Sequence, residues 1–168
     1  MRFASHFTEP LMAFDPLAQR RILGRFATGV TVVTTRQDDL LYGMTANAVA
    51  SLSLTPPLIL VAVDRRAVMH GHLTQNRCFA VNVLRADQEA LSRRFAAPGP
   101  KDFSDLNLTT AATGSPILAD AIAFVDCRVV EVLPGGDHDI FIGEILAGDA
   151  REGRPLIFYE GKYARLAE

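Results

Sequence analysis

Short β-branched runs separated by polar turns dominate the chain. Val30 to Thr35 reads VTVVTT, a strand by composition, closed by the polar turn Arg36 to Asp39, and Leu40 to Met44 returns from it. Leu58 to Val63 (LILVAV) and Cys78 to Leu84 (CFAVNVL) are continuous enough in apolar residues to predict buried strands. Ile122 to Leu133 partly alternates polar and apolar positions, the period of a half-buried strand. Pro134 to Asp137 (PGGD) turns the chain, and His138 to Leu146 (HDIFIGEIL) reads as its hairpin partner. A last short strand is expected at Pro155 to Tyr159 (PLIFY), after which Gly161 turns the chain toward Tyr163.

Helical spacing is confined to three short places. Leu17, Ile22, Leu23 and Phe26 predict an amphipathic helix over Leu17 to Phe26, with Pro16 able to open it and Gly29 able to end it. Ala67 to Asn76 is a second candidate. Ala86 to Phe95 is a third, with Asp87 near its start and Arg93 and Arg94 near its end, as the helix dipole favours. Residues 1–16 read as an irregular N-terminal arm. Ala96 to Gly114 is a polar excursion longer than most loops, and therefore a functional candidate. Six or seven strands with two or three helices that do not alternate regularly disfavour a doubly wound sheet. They predict an all-β fold, β-rich with short helices, closed as an antiparallel barrel.

The length of 168 residues suits one domain spanning 1–168. An apolar share of 49%, charged residues at 21% and a mean hydropathy of +0.16 argue for a sizeable core and against disorder. A net charge of -2 removes the basic field that a nucleic acid would need. No stretch approaches the roughly 18 apolar residues that cross a bilayer, and the first residues carry no signal-peptide pattern, so a cytoplasmic protein without membrane partners is expected. Cys78 and Cys127 each lie in an apolar run and read as reduced core residues.

Between two strong strands, Thr45 to Pro57 reads TANAVASLSLTPP. Thr45, Asn47, Ser51, Ser53 and Thr55 are uncharged donors and acceptors able to satisfy a phosphate, a ribityl chain or the polar edge of a heterocycle. Ala46, Ala48 and Ala50 leave room for a flat ring near the backbone. The same pattern suits an edge strand with a solvent-facing hydroxyl row. His138, beside the PGGD turn, could donate a hydrogen bond or pass a proton near neutral pH, or simply belong to the turn. Arg93 and Arg94 are candidates for an anionic group, or a solvated helix end. His70 and His72 have no carboxylate or cysteine partners at metal-ligand spacing, so no metal is expected. Neither GxGxxG nor GxxxxGK[ST] occurs, which leaves Rossmann and P-loop phosphate sites unsupported.

Six segments resemble one family in order along the chain: FATGVTVVTT (Phe26 to Thr35), GMTANAVASLSLTPPLILVAV (Gly43 to Val63), CFAVNVL (Cys78 to Leu84), GSPIL (Gly114 to Leu118), GGDHDIFIGEI (Gly135 to Ile145) and PLIFYEGKY (Pro155 to Tyr163). They resemble the short-chain flavin reductases, FMN-binding split-barrel proteins that serve two-component flavin monooxygenases. The resemblance implies a homodimer of Greek-key split barrels with a flavin near the subunit interface. It implies hydride transfer from NADH or NADPH to FMN or FAD, with reduced flavin diffusing to a partner monooxygenase. Carried over to this chain, Thr45, Asn47, Ala48, Ser51 and Ser53 would line the flavin. Ala80 and Asn82 would approach it, Phe95 would border it, and Tyr163 would lie in the same neighbourhood. His138 would stand where the nicotinamide meets the ring. Ala48 replaces a serine common in the family. The alternative is a flavin-binding electron-transfer or ligand-binding protein without nicotinamide turnover.

Overall fold

The computed structural model describes residues 14–166, so most of the N-terminal arm expected over 1–16 lies outside the described residues. The first helix, α1, covers Pro16–Leu23. The Asp15 carboxylate caps it, accepting from the backbone N–H of Leu17 and Ala18 at 3.1 and 3.2 Å. It stops three residues short of the expected Phe26. Arg25 and Phe26 donate to the carbonyls of Ile22 and Leu23, the tighter three-residue pattern in which a helix end unwinds, and Phe26 is left exposed.

The remaining elements are β1 (Thr28–Gly29), β2 (Thr31–Gln37), β3 (Leu40–Ala46), β4 (Val49–Leu54), β5 (Pro57–Asp64), α2 (Val68–Asn76), β6 (Cys78–Val83) and α3 (Glu89–Ala96). Then follow β7 (Leu108–Thr109), β8 (Ile117–Leu118), β9 (Ala123–Gly135), β10 (His138–Ala150), β11 (Ile157–Tyr159) and β12 (Lys162–Ala164). Thr45 to Pro57 runs from the end of β3 through β4 to the first residue of β5. Thr45 belongs to β3, and β4 is an edge strand, as the hydroxyl-row reading allowed.

Seven strands form one antiparallel sheet in the order β3-β2-β6-β9-β10-β5-β4. Successive β6, β9 and β10 are neighbours, and β5 lies beside β10 rather than beside its successor β6, a Greek-key arrangement. The two edge strands, β3 and β4, are consecutive in the chain and linked only by Asn47 and Ala48. Three Cα steps of about 3.8 Å keep Ala46 and Val49 within about 11 Å of each other. The sheet must therefore curl until its edges meet, yet no ladder joins them among the described residues. This is a split barrel.

Two cores flank the barrel wall. Inside, Val33, Val61, Val63, Phe79, Val81, Cys127, Val129 and Phe141 pack around Met69 and Leu73 of α2. Outside, Val30, Val32, Leu84, Phe95, Leu118 and Leu156 pack beneath α3 and the small sheet β1-β11-β12. Residues Val32 and Val33 face opposite cores, which is why VTVVTT is apolar or hydroxylated on both faces. Burial also pushes the Cys127 thiol up to about 12. The excursion 96–114 is less open than its polarity suggested. Phe103, Leu106 and Leu108 pack on the outer core, Arg94 holds Asp105 at 2.5 Å, and Thr113 is bound through its N–H (2.7 Å) and hydroxyl to the buried Asp126.

Candidate active site

The register across three strands defines the outer face of the barrel near its seam. Val49, Val61 and Phe141 lie level with one another and face inward. One residue further, the Ala62 N–H donates to the Ala48 carbonyl at 2.9 Å, and Ala62 is opposite Ile140. By alternation Ala48, Ala50, Leu60, Ala62, Ile140 and His138 share the outer face. Strand spacing puts His138 roughly 12 Å from Ala48. Between Ser51 and Ser53 the register shifts, so that Ser51 is opposite inward-facing Ile59 but Ser53 is opposite outward-facing Leu58. A strict alternation would have kept both serines on the inner side; the bulge brings Ser53 to the outer row.

His138 opens β10 opposite Asp64. It follows Gly136, whose φ of +78° is a conformation suited to glycine. The His138 ring holds the Asp137 carboxyl below the usual carboxylate range, and Asp137 Oδ1 lies 2.7 Å from Nδ1. An ionised carboxylate can only accept, so Nδ1 carries the hydrogen, and in the neutral form of the ring Nε2 would be left as an acceptor. Arg66 likewise holds the Asp64 carboxyl low, with Nη2 at 2.8 Å from Oδ2.

A second locus adjoins the seam. Exposed Asn47 donates to the Thr28 hydroxyl at 3.2 Å, Thr28 is opposite Phe158, and Phe158 is opposite Tyr163. The Tyr163 hydroxyl lies 2.9 Å from Ser92 Oγ, and the Arg93 guanidinium stands 4.7 Å over its ring. The Thr45 hydroxyl donates to the Ser92 carbonyl at 2.6 Å, which commits it to the barrel wall. Arg93 is also held by Glu89 at 2.6 Å, and Arg94 is committed to Asp105.

The structure thus gathers Ala48, Ser53 and His138 on one face, with Asn47 at its corner and Ser51 exposed on the same edge strand. It turns Ala80, Asn82 and Phe95 into the outer core, Asn82 opposite Val32 and Ala80 opposite Thr34. Expected to approach or border the cofactor, these three side chains are buried, and both polar side-chain atoms of Asn82 are used: Nδ2 donates to Val32 O and Thr34 Oγ1, and Oδ1 accepts from Leu118 N. Sequence reading missed Thr28, Asp137 and the groups around Asp139. Asp137 was within sight, next to His138. The others come together only through the fold.

The residues fit a flavin. Small side chains leave the outer face low, and uncharged amide and hydroxyl groups border it beside an oriented imidazole. Ala48 and Ala50 are exposed and Leu60, Ala62, His138 and Ile140 half-buried, so the site is an open face; cavities of about 70 Å³ near Phe124 and about 210 Å³ near Arg36 contain none of these residues.

A curled but unclosed seven-stranded sheet with such a face defines the flavin-binding split-barrel class. Residues 23–167 match the family described as flavin reductase like domain, and the chain belongs to that family. It is 40% identical over 153 residues to the reductase component of 4-nitrophenol 4-monooxygenase/4-nitrocatechol 2-monooxygenase of Rhodococcus opacus, covering 91% of this chain and 82% of that one. The flavin reductase PheA2 in its native state superposes with a TM-score of 0.86 at 41% identity, over 92% of this chain and 100% of the other. The NADH:FAD oxidoreductase SgcE6 of Streptomyces globisporus, in complex with NAD and FAD fragments, superposes with a TM-score of 0.84 at 40% identity, over 94% and 98% of the two chains.

Proposed function

We propose that this protein is an NAD(P)H:flavin oxidoreductase that reduces FMN or FAD and supplies the product to a partner monooxygenase. The observation that carries the reading is His138, oriented by Asp137 on the outer face that also bears Ala48 and Ser53. Relatives support it: one is a monooxygenase reductase component, and another is an NADH:FAD oxidoreductase.

When bound, flavin accepts the hydride that reduced nicotinamide releases. The chain supplies placement. Asn47 and Ser53 would bind the polar edge and side chain of the flavin, while Ala48, Ala50 and Ala62 would let its ring lie close to the strands; Ser51, which alternation turns to the inner side, is not part of that row. Thr45 braces the wall through Ser92, Tyr163 borders the Asn47 side, and Ala80, Asn82 and Phe95 are buried in the outer core beside it. With Nδ1–H held by Asp137, His138 would present Nε2 as an acceptor to help orient the nicotinamide. An open face cannot enclose a ligand as most binding pockets do, and a second copy of the chain completes it, which makes the working form a homodimer. The chain acts as one domain in the cytoplasm, and reduced flavin passes to the monooxygenase by diffusion.

His138→Ala tests this. Under anaerobic conditions, flavin reduction by NADH or NADPH is expected to slow about 10- to 100-fold, with flavin affinity within twofold, as for a lost positioning contact. Equal loss of rate and affinity would make His138 structural. Wild-type protein that binds flavin but oxidises neither nicotinamide would establish flavin binding without nicotinamide turnover instead.

A further inference from the structure

We infer that Arg65, Asp139 and His70 form a clamp that positions His138 for its contact with the nicotinamide, an inference that rests on the role just given to His138. The histidine needs such support. It follows a glycine turn, its side chain is 41% exposed, and its one side-chain hydrogen bond among the described residues is to Asp137, itself 83% exposed. A pair so open to water does not hold its own geometry.

The residues on either side of His138 are held instead. On one side the Arg65 N–H donates to the Asp137 carbonyl at 3.1 Å. On the other, strand alternation turns Asp139 inward, opposite buried Val63, and its side chain is only 17% exposed. Asp139 Oδ1 accepts from Arg65 Nε at 2.9 Å and Nη2 at 2.6 Å, and Oδ2 lies 2.7 Å from His70 Nε2. Arg65, and secondarily His70, hold the Asp139 carboxyl below the usual range, so it is an acceptor and His70 Nε2 is the donor. Arg65 therefore grips both neighbours of His138, one through its backbone and one through its guanidinium.

The clamp is anchored in the core. His70 lies on α2 between Met69 and Leu73, both buried inside the barrel, and its ring stands edge-on to buried Phe141 at 5.4 Å. The corner that carries Arg65 is itself tied down, since Asp64 Oδ1 accepts from the Arg66 N–H at 2.8 Å. Three side chains thus transmit the rigidity of the inner core to an exposed turn. None of them faces the site, so they are positioning residues.

The test joins a spectroscopic readout to kinetics in the full-length protein. In Asp139→Ala, the ¹⁵N signals of the His138 ring are expected to move from the Nδ1–H pattern toward those of a freely averaging imidazole. Hydride transfer should fall about 10-fold with flavin affinity within twofold. Asp139→Asn, which keeps an acceptor for Arg65, should restore most of both. In a His138→Ala background, Asp139→Ala should add less than twofold. Unchanged His138 signals in Asp139→Ala would overturn the clamp whatever His138 does in turnover. A full 10-fold loss in the His138→Ala background would overturn it as well, because the effect would then not pass through His138. Altered signals with undiminished hydride transfer would instead remove His138 from the reaction and leave the clamp without a purpose.

Discussion

Asn82 and Ser53 show how differently two polar residues in strands can be used. Asn82 stands out in the sequence as a lone amide within CFAVNVL, and a polar side chain in a buried strand invites a ligand. Its partners Val32, Thr34 and Leu118 lie 36 to 50 residues away, so nothing local announces that the amide stitches β6 to its neighbours. Ser53 was legible as a hydroxyl in a hydroxyl-rich run, but its face was not, because the bulge that turns it outward depends on how β4 pairs with β5. Ser53→Ala is expected to raise the flavin dissociation constant about 3- to 10-fold, the effect of losing one net hydrogen bond of roughly 0.5–1.5 kcal/mol. Fluorescence titration checks it. An unchanged constant would take Ser53 out of the site.

At the scale of elements, the long β-branched runs were legible because their period and composition need no tertiary information, and β2, β5 and β6 lie where the pattern put them. The ends of elements were not. Helix α1 stops early at a three-residue turn, and the excursion 96–114 hides Phe103, Leu106 and Leu108 among polar residues too irregularly spaced to signal a packed segment. Strand β10 carries a further constraint that the sequence shows only as a glycine. At Gly143, beside a register shift, a Cβ would come within 2.6 Å of Phe79 Cζ and 2.9 Å of Cys127 Cβ. Gly143→Ala is therefore expected to destabilise the barrel by about 1–3 kcal/mol through overpacking, seen as a lower midpoint in urea with an unchanged slope. Wild-type stability in that variant would mean that the inner core yields more readily than its packing implies.

The whole molecule's acid sensitivity follows from its carboxylates. Arg66 holds Asp64 low, Arg65 holds Asp139, His138 holds Asp137, Arg85 holds Asp87 and Arg94 holds Asp105. A carboxylate with a depressed folded-state pKa contributes stability above its ordinary value near 4 and loses it as pH falls through the lower folded value. The melting temperature should stay nearly level from pH 7 to 5 and drop below about pH 4; a decline that begins near pH 6.5 would implicate histidines instead. Analytical ultracentrifugation should find a dimer at working concentration, and a fully active monomer would show that the open face needs no second copy. The fold class was visible in the sequence from strand count and irregular helix placement, and the family from six ordered segments. Strand order was not, because β5 and β6 are parted by a hairpin that begins only at Ala123, well beyond both, and only pairing reveals it.

The unladdered seam beside Asn47 bears on how the protein lets go. An enzyme must release its product as readily as it takes up its substrate, and in most barrels opening would tear a row of inter-strand bonds. Here the edges β3 and β4 can part, within the slack of a two-residue tether, without breaking any ladder among the described residues. The Asn47 corner of the outer face can thus shift while the other strand pairs keep their register, so movement there is uncoupled from the integrity of the fold.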